Sequence, residues 1–171
     1  TVDLDRSQLG MDQGLVVFEP PADQVGVPQG GEFLTPTAQF THHLAGTLSV
    51  NTFALGINGT AAEYRFGGTN TRLTTGATYI GANGIGSINV NSGTWAASQH
   101  LSIGDAPGAR GRVFQAGGRV STPELNVGYY GRGTYEIHGG TLLVGSFFSA
   151  GPLINSSGKV EMAGGTILSP L

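Results

Sequence analysis

Short alternations of apolar and polar residues recur along the second half of the chain. Two clear cases are the runs Ser-Ile-Asn-Val at 87–90 and Lys-Val-Glu-Met at 159–162. Alternation of this length, bounded by Gly and Asn, is typical of strands with one buried face. No window keeps apolar residues at helical spacing for three turns. The pattern therefore predicts an all-β fold built from short strands.

Paired glycines, or a close equivalent, follow each alternating run. The second members of successive pairs are 25, 25, 22 and 25 residues apart, and the pairs are Gly67-Gly68, Ser92-Gly93, Gly117-Gly118, Gly139-Gly140 and Gly164-Gly165. A fixed period of this size indicates a repeat architecture. Glycine suits the corners of such a repeat because it takes a positive φ without a steric penalty.

Each period holds three strand-like stretches separated by turns. The first has the pattern apolar, any residue, apolar, Gly, the second is the alternating run, and the third begins with an apolar residue two places after the glycine pair. This predicts a parallel β-helix of about five coils, with 22–25 residues and three short strands per coil. Two inward columns should then form: Ile88, Val113, Tyr135 and Val160, and Trp95, Val120, Leu142 and Ile167.

Residues 1–46 lack the repeat and differ in charge from residues 47–171. The first segment has six acidic residues against one arginine, a net charge of −5, whereas the second has seven basic and five acidic residues, a net charge of +2. The first segment also holds four of the eight prolines. The sequence therefore predicts two regions, an acidic N-terminal segment (1–46) and a solenoid repeat domain (47–171).

Two interpretations of the N-terminal segment remain open. It is either a cap that covers the first coil of its own solenoid or an arm that adds a strand to a neighbouring copy. Its best strand candidate contains Leu15, Val16, Val17 and Phe18. These four residues are the predicted assembly residues of this segment.

The last coil ends in Ile167 and Leu168, and Leu171 follows without an amphipathic or polar covering layer. An open solenoid end can pair with the start of another copy, and a head-to-tail contact that does not close produces a filament. Ile167, Leu168 and Leu171 are therefore the predicted assembly residues of this end.

The amino-acid composition excludes several kinds of site and partner. Charged residues make up 11% of the chain and there is no cysteine, which excludes disulfides and thiolate metal sites. No run of 18 apolar residues exists, so no transmembrane segment is expected. The net charge is −3 and the arginines lie on separate turns, which argues against a nucleic-acid partner.

One pair of carboxylates is a candidate catalytic site. Glu136 and Glu161 occupy the same place in successive coils and should lie about one strand spacing apart, which suits a retaining glycosidase. The repeat places no Arg or Lys beside them, and a column of outward polar residues is the simpler interpretation. The sequence therefore predicts no enzyme, and no catalytic, cofactor or metal residues.

The run from Leu125-Asn126-Val127-Gly128 to Gly139-Gly140-Thr141-Leu142 resembles the autotransporter-associated β-strand repeats. Similar repeats occur in secreted bacterial surface proteins, some of which carry PEP-CTERM sorting tails. The resemblance covers roughly residues 47–168. It implies a β-solenoid that serves as a passenger, a stalk or a matrix component.

The leading hypothesis is a secreted structural protein at the cell surface or outside the cell. It would assemble with copies of itself into a filament or surface layer, by end-to-end stacking or by exchange of the N-terminal strand. The alternative is a β-helix that binds or cleaves carbohydrate, such as surface polysaccharide, with Glu136, Glu161, Tyr129 and Tyr130.

Overall fold

The computed structural model describes residues 46–169 in full. Before them it describes only the backbone of four strands: β1 (Val2–Leu4), β2 (Leu9–Gly10), β3 (Leu15–Val17) and β4 (Ala38–His42). These parts of the chain contain strands and turns and no helix.

From residue 46 onward, successive strands alternate between two parallel sheets. Sheet A has the order β1-β4-β6-β8-β10-β12-β14 and sheet B the order β15-β13-β11-β9-β7-β5-β2, with β3 also paired to β5. The further strands of sheet A are β6 (Ala61–Phe66), β8 (Ile85–Val90), β10 (Arg110–Gln115), β12 (Arg132–Ile137) and β14 (Ser157–Met162). Those of sheet B are β5 (Gly46–Leu55), β7 (Thr71–Ile80), β9 (Thr94–Ile103), β11 (Arg119–Val127), β13 (Thr141–Ala150) and β15 (Thr166–Leu168).

This arrangement confirms the predicted parallel β-solenoid of about five coils. The coil differs from the prediction in its number of strands. The third stretch of one period and the first stretch of the next form a single strand of sheet B, such as β9. The pairing register shifts in the middle of these strands, for example between Thr75 and Ala77 where β7 meets β9. Such a bulge bends the strand without ending the ladder, and it supplies the corner that the sequence pattern suggested was a break.

Both predicted inward columns are confirmed. Val113 pairs with Ile88 on one side and Tyr135 on the other, and Val120 pairs in the same way with Trp95 and Leu142. All of these side chains are fully buried. The buried Tyr135 hydroxyl donates a hydrogen bond of 2.8 Å to Oε1 of Gln115, which satisfies two polar groups inside the core.

The recurring glycines lie at two corners of each coil. The second glycine of every pair has a positive φ, from 72° at Gly118 to 113° at Gly68. The glycine that closes each apolar-x-apolar-Gly pattern also has a positive φ, as at Gly104. A Cβ on Gly104 would lie 2.2 Å from the carbonyl oxygen of Arg132 in the next coil, so this corner also requires the absence of a side chain.

The single 22-residue step in the period has a local cause. Strand β11 is one residue shorter than β9, and the loop at 128–131 is two residues shorter than the loop at 104–109. The loop on the coil surface and the bulge absorb the deletions, so the strand register is preserved on both sides.

Strands within residues 1–46 join the ladders of the same chain. Strand β4 pairs with β6 over five residues, and β3 pairs with β5 so that Val16 lies opposite Phe53. The strand predicted around residues 14–18 is therefore found as β3, and Phe18 lies outside the described residues. These pairings place the backbone of Leu15, Val16 and Val17 against the chain's own first long strand.

Candidate functional site

The outer face of sheet A carries most of the charged side chains of the repeat. Because side chains alternate along each strand, three outward rows run across the coils, and one of them contains Arg110 and Arg132. We call the other two the first row, Glu63, Ser87, Arg112, Thr134 and Lys159, and the second row, Arg65, Asn89, Phe114, Glu136 and Glu161.

Arg112 and Glu136 form a bidentate ion pair on this face. Arg112 donates from Nε and Nη2 to the two carboxylate oxygens of Glu136 at 2.8 and 2.7 Å, and its guanidinium lies 5.5 Å from the ring centre of Phe114. The hydrogen bonds from Arg112 hold the pKa of Glu136 below its ordinary value, and those same bonds raise the pKa of Arg112. The pair therefore stays ionised at neutral pH.

Glu136 and Glu161 are register partners, as the sequence predicted. The expectation that the repeat places no cation beside them is wrong. Arg112 binds Glu136, and Nζ of Lys159 lies 2.5 Å from Oε1 of Glu161. Equal positions in successive periods do not predict this contact, because it runs diagonally from the first row of one coil to the second row of the next.

This geometry gives no support to cleavage by the two glutamates. A retaining glycosidase needs one carboxyl with a raised pKa as its general acid. The pKa of Glu136 is shifted in the opposite direction, because Arg112 stabilises its carboxylate. Carbohydrate cleavage by this pair stays a prediction.

A groove with a volume of about 490 Å³ crosses the same face beside the first row. Its charged lining consists of three arginines and one lysine against one glutamate, namely Arg110, Arg112, Arg132, Lys159 and Glu63. The backbones of Gly86, Gly111 and Gly133 also line it. The groove is therefore a concave, predominantly cationic surface that spans several coils.

Arg110 and Arg132 stand directly opposite each other in this groove. They are register partners at the start of β10 and β12, and both are exposed. No carboxylate within the described part of the chain forms an ion pair with either of them. Like charges at directly opposite positions of a sheet are unfavourable.

Two aromatic side chains lie at the corner that leads into β12. The rings of Tyr129 and Tyr130 pack edge to face with their centres 4.7 Å apart, and Tyr130 is 49% exposed. The sequence singled out both tyrosines as carbohydrate contacts. The structure places them in the loop that immediately precedes Arg132.

The last coil exposes apolar side chains that belong to the core columns. Met162 is 55% exposed although its partner Ile137 is fully buried, and Phe148 is 41% exposed although Leu125 is fully buried. Of the predicted assembly residues, Ile167 is half-buried and Leu168 is exposed. Leu171 lies outside the described residues.

Within the described strands and turns, no group of three or more His, Asp or Glu side chains is placed to hold a metal ion. The same residues include no helix long and apolar enough to cross a membrane.

The fold and its surfaces define a parallel β-solenoid with a charged outer face on one sheet and an uncovered apolar coil. A scan against protein-family models found no matching model, and searches of curated proteins and of solved structures found no match. The resemblance to the autotransporter-associated repeats therefore stays a prediction.

Proposed function

We propose that this chain is a structural subunit that assembles end to end with copies of itself into an extracellular filament or surface layer. The proposal rests on the exposure of apolar side chains in the last described coil. This coil continues the core columns of the solenoid but leaves their apolar side chains in contact with solvent.

The strand order of both sheets supports this mode of assembly. Strands β14 and β15 lie at one end of sheets A and B, and β1 and β2 lie at the other end. Every strand pair is parallel, so a second copy placed along the axis continues both ladders without reversing the chain direction. A head-to-tail contact of this kind does not close and produces a filament.

The apolar side chains of the last coil supply a driving force for the contact. Burial of apolar surface contributes about 25 cal/mol per Å². Met162, Phe148 and Ile167 would move from partial exposure to the full burial that their register partners Ile137, Leu125 and Leu142 have in preceding coils. The proposed assembly thus extends the packing of the solenoid itself.

Lysine substitutions at the exposed end test the proposal. We expect the wild-type protein to form larger species as its concentration rises, and a Met162→Lys/Leu168→Lys variant to remain monomeric. The change at Met162 would place an unpaired charge among the inward apolar side chains of the contact, and the change at Leu168 would add a second charge on the exposed end strand. Sedimentation velocity and negative-stain electron microscopy measure the difference. Ala116→Lys is the control, since Ala116 is an exposed position in the turn after β10 of a middle coil.

A wild-type protein that stays monomeric at high concentration and forms no polymer would defeat the proposal. So would polymers that the Ala116→Lys change abolishes as completely as the two end changes, since that result would locate the contact on the side wall.

A further inference from the structure

Arg110 and Arg132 are two like-charged side chains at directly opposite positions of sheet A. Parallel register places their Cα atoms about 4.8 Å apart, with both guanidinium groups on the outer side of sheet A. Arg112 and Lys159 lie on the same groove and are neutralised by Glu136 and Glu161, whereas the described residues offer Arg110 and Arg132 no such partner. An anion bound in the groove would relieve the repulsion between the two arginines.

The form of the groove indicates an extended anion. Its lining includes residues of five successive strands of sheet A, from Ala62 in β6 to Lys159 in β14. A ligand that follows the groove across the coils meets one strand about every 4.8 Å. This step is close to the length of one sugar unit in a linear polysaccharide. Two neighbouring carboxylates of a polyuronate would therefore match the spacing of Arg110 and Arg132.

The neighbouring aromatic side chains favour a sugar over a nucleic acid. Tyr129 and Tyr130 occupy the corner that enters β12, and an exposed tyrosine ring is a stacking surface with a polar tip. A nucleic-acid partner calls for a wide basic surface. The whole chain carries a net charge of −3, and its cationic side chains near the groove are only four in number.

We propose that this groove binds a carboxylated linear polysaccharide, with Arg110 and Arg132 as paired carboxylate contacts. Guanidinium groups suit this role because each can donate two parallel hydrogen bonds to one carboxylate. The proposal concerns the side wall and does not depend on end-to-end assembly.

Titration calorimetry with oligogalacturonate tests the assignment. We expect the wild-type protein to bind this oligomer. Its fully methyl-esterified form has the same backbone without charge, and the affinity for it should be lower by about tenfold or more. The variant Arg110→Gln/Arg132→Gln should lose about tenfold or more in affinity for the charged oligomer. Added salt should weaken wild-type binding, because the groove is open to solvent.

The matched control is Arg72→Gln/Arg119→Gln. These two arginines are exposed on sheet B and flank Thr94, so the control removes the same charge from the opposite sheet. It should bind oligogalacturonate within about twofold of wild type. The groove variant should melt at or slightly above the wild-type temperature, since it removes a like-charged pair, and it should assemble as wild type does.

Several results would overturn the proposal. They are no wild-type binding of oligogalacturonate, equal binding of the methyl ester, and an equal loss in the control variant. Equally tight binding of poly-L-glutamate would reject a polysaccharide ligand in favour of any polyanion, including an acidic protein segment. Tighter binding of a single-stranded oligonucleotide would reject it in favour of nucleic acid.

Discussion

The middle coils and the last coil follow the same sequence pattern and have different burial. Ile137 and Met162 are register partners in one inward column, yet Ile137 is fully buried and Met162 is 55% exposed. Leu125 and Phe148 differ in the same way. The side chains of the last coil are no less apolar. Among the described strands no further coil covers them, whereas the middle ones have a coil on each side.

The unequal burial of these register partners indicates that a coil derives much of its stability from the coils beside it. In a repeat protein, stability is approximately the sum of the intrinsic terms of the units and the contacts between adjacent units. A middle coil has two such contacts, and among the described strands the coil of β14 and β15 has one. Equivalent substitutions in the two places should therefore have unequal effects.

The largest expected difference concerns the corner glycines Gly104 and Gly151. Both have a positive φ, but a Cβ at Gly104 would lie 2.2 Å from a backbone oxygen of the next coil, whereas the nearest atom to a Cβ at Gly151 is 3.1 Å away. We expect Gly104→Ala to cost about 4 kcal/mol or more of folding free energy, from the left-handed conformation and from the backbone clash. Gly151→Ala should cost about 1–2 kcal/mol, from the conformation alone. Chemical denaturation measures both, and equal costs would show that the next coil does not press on this corner.

Truncation of the core column should give the next largest difference. Ile137→Ala should cost about 3 kcal/mol, because it leaves a cavity in a fully buried site. Met162→Ala should cost less than about 1 kcal/mol in dilute solution, because Met162 is already half exposed. Thermal unfolding at two protein concentrations extends the test. If ends stack, the cost of Met162→Ala should rise with concentration, and a cost that stays constant would argue against burial of this side chain in an assembly.

The smallest expected difference concerns the ion pairs of the second row. The folded-state pKa of Glu136 is lowered, so its ion pair stabilises the fold above the unfolded pKa of about 4.5 and is lost as the pH falls through the lower folded value. Glu136→Gln should therefore cost about 1 kcal/mol or less at neutral pH, and this cost should disappear as the pH falls below the folded-state pKa of Glu136. Glu161→Gln is the control, since its pair with Lys159 has side chains that are 50% and 63% exposed. Melting temperatures across this pH range provide the measurement, and equal costs for both variants at every pH would contradict a special role of Arg112.

Much of the fold could be predicted from the glycine period and the alternation because both are local and repeat. Column partners such as Val113 and Tyr135 follow from the period alone, once each coil is assumed to stack on the previous one. The merged strands of sheet B could not be predicted, since a bulge and a turn both appear in sequence as an interruption of alternation. The shift between Thr75 and Ala77 required the paired backbone of the neighbouring strand.

The features of the outer face of sheet A also divide into those that the sequence predicts and those that it does not. The stack of Glu136 on Glu161 followed from equal positions in successive periods. The contact between Arg112 and Glu136 did not, because a side chain as long as arginine reaches diagonally across a sheet. The groove was also missed, since its arginines lie on different coils and their meeting depends on strand register.

The sequence by itself determined the repeat, the inward columns and the corners that only glycine can occupy, because these depend on short-range sterics and on a periodic hydrophobic pattern. The tertiary structure decided which apolar side chains are covered, which charges neutralise each other and where cationic residues converge. Those properties depend on which coil lies beside which and on how far side chains reach between them. The column that contains Ile137 and Met162 is core in one coil and surface in the next for that reason.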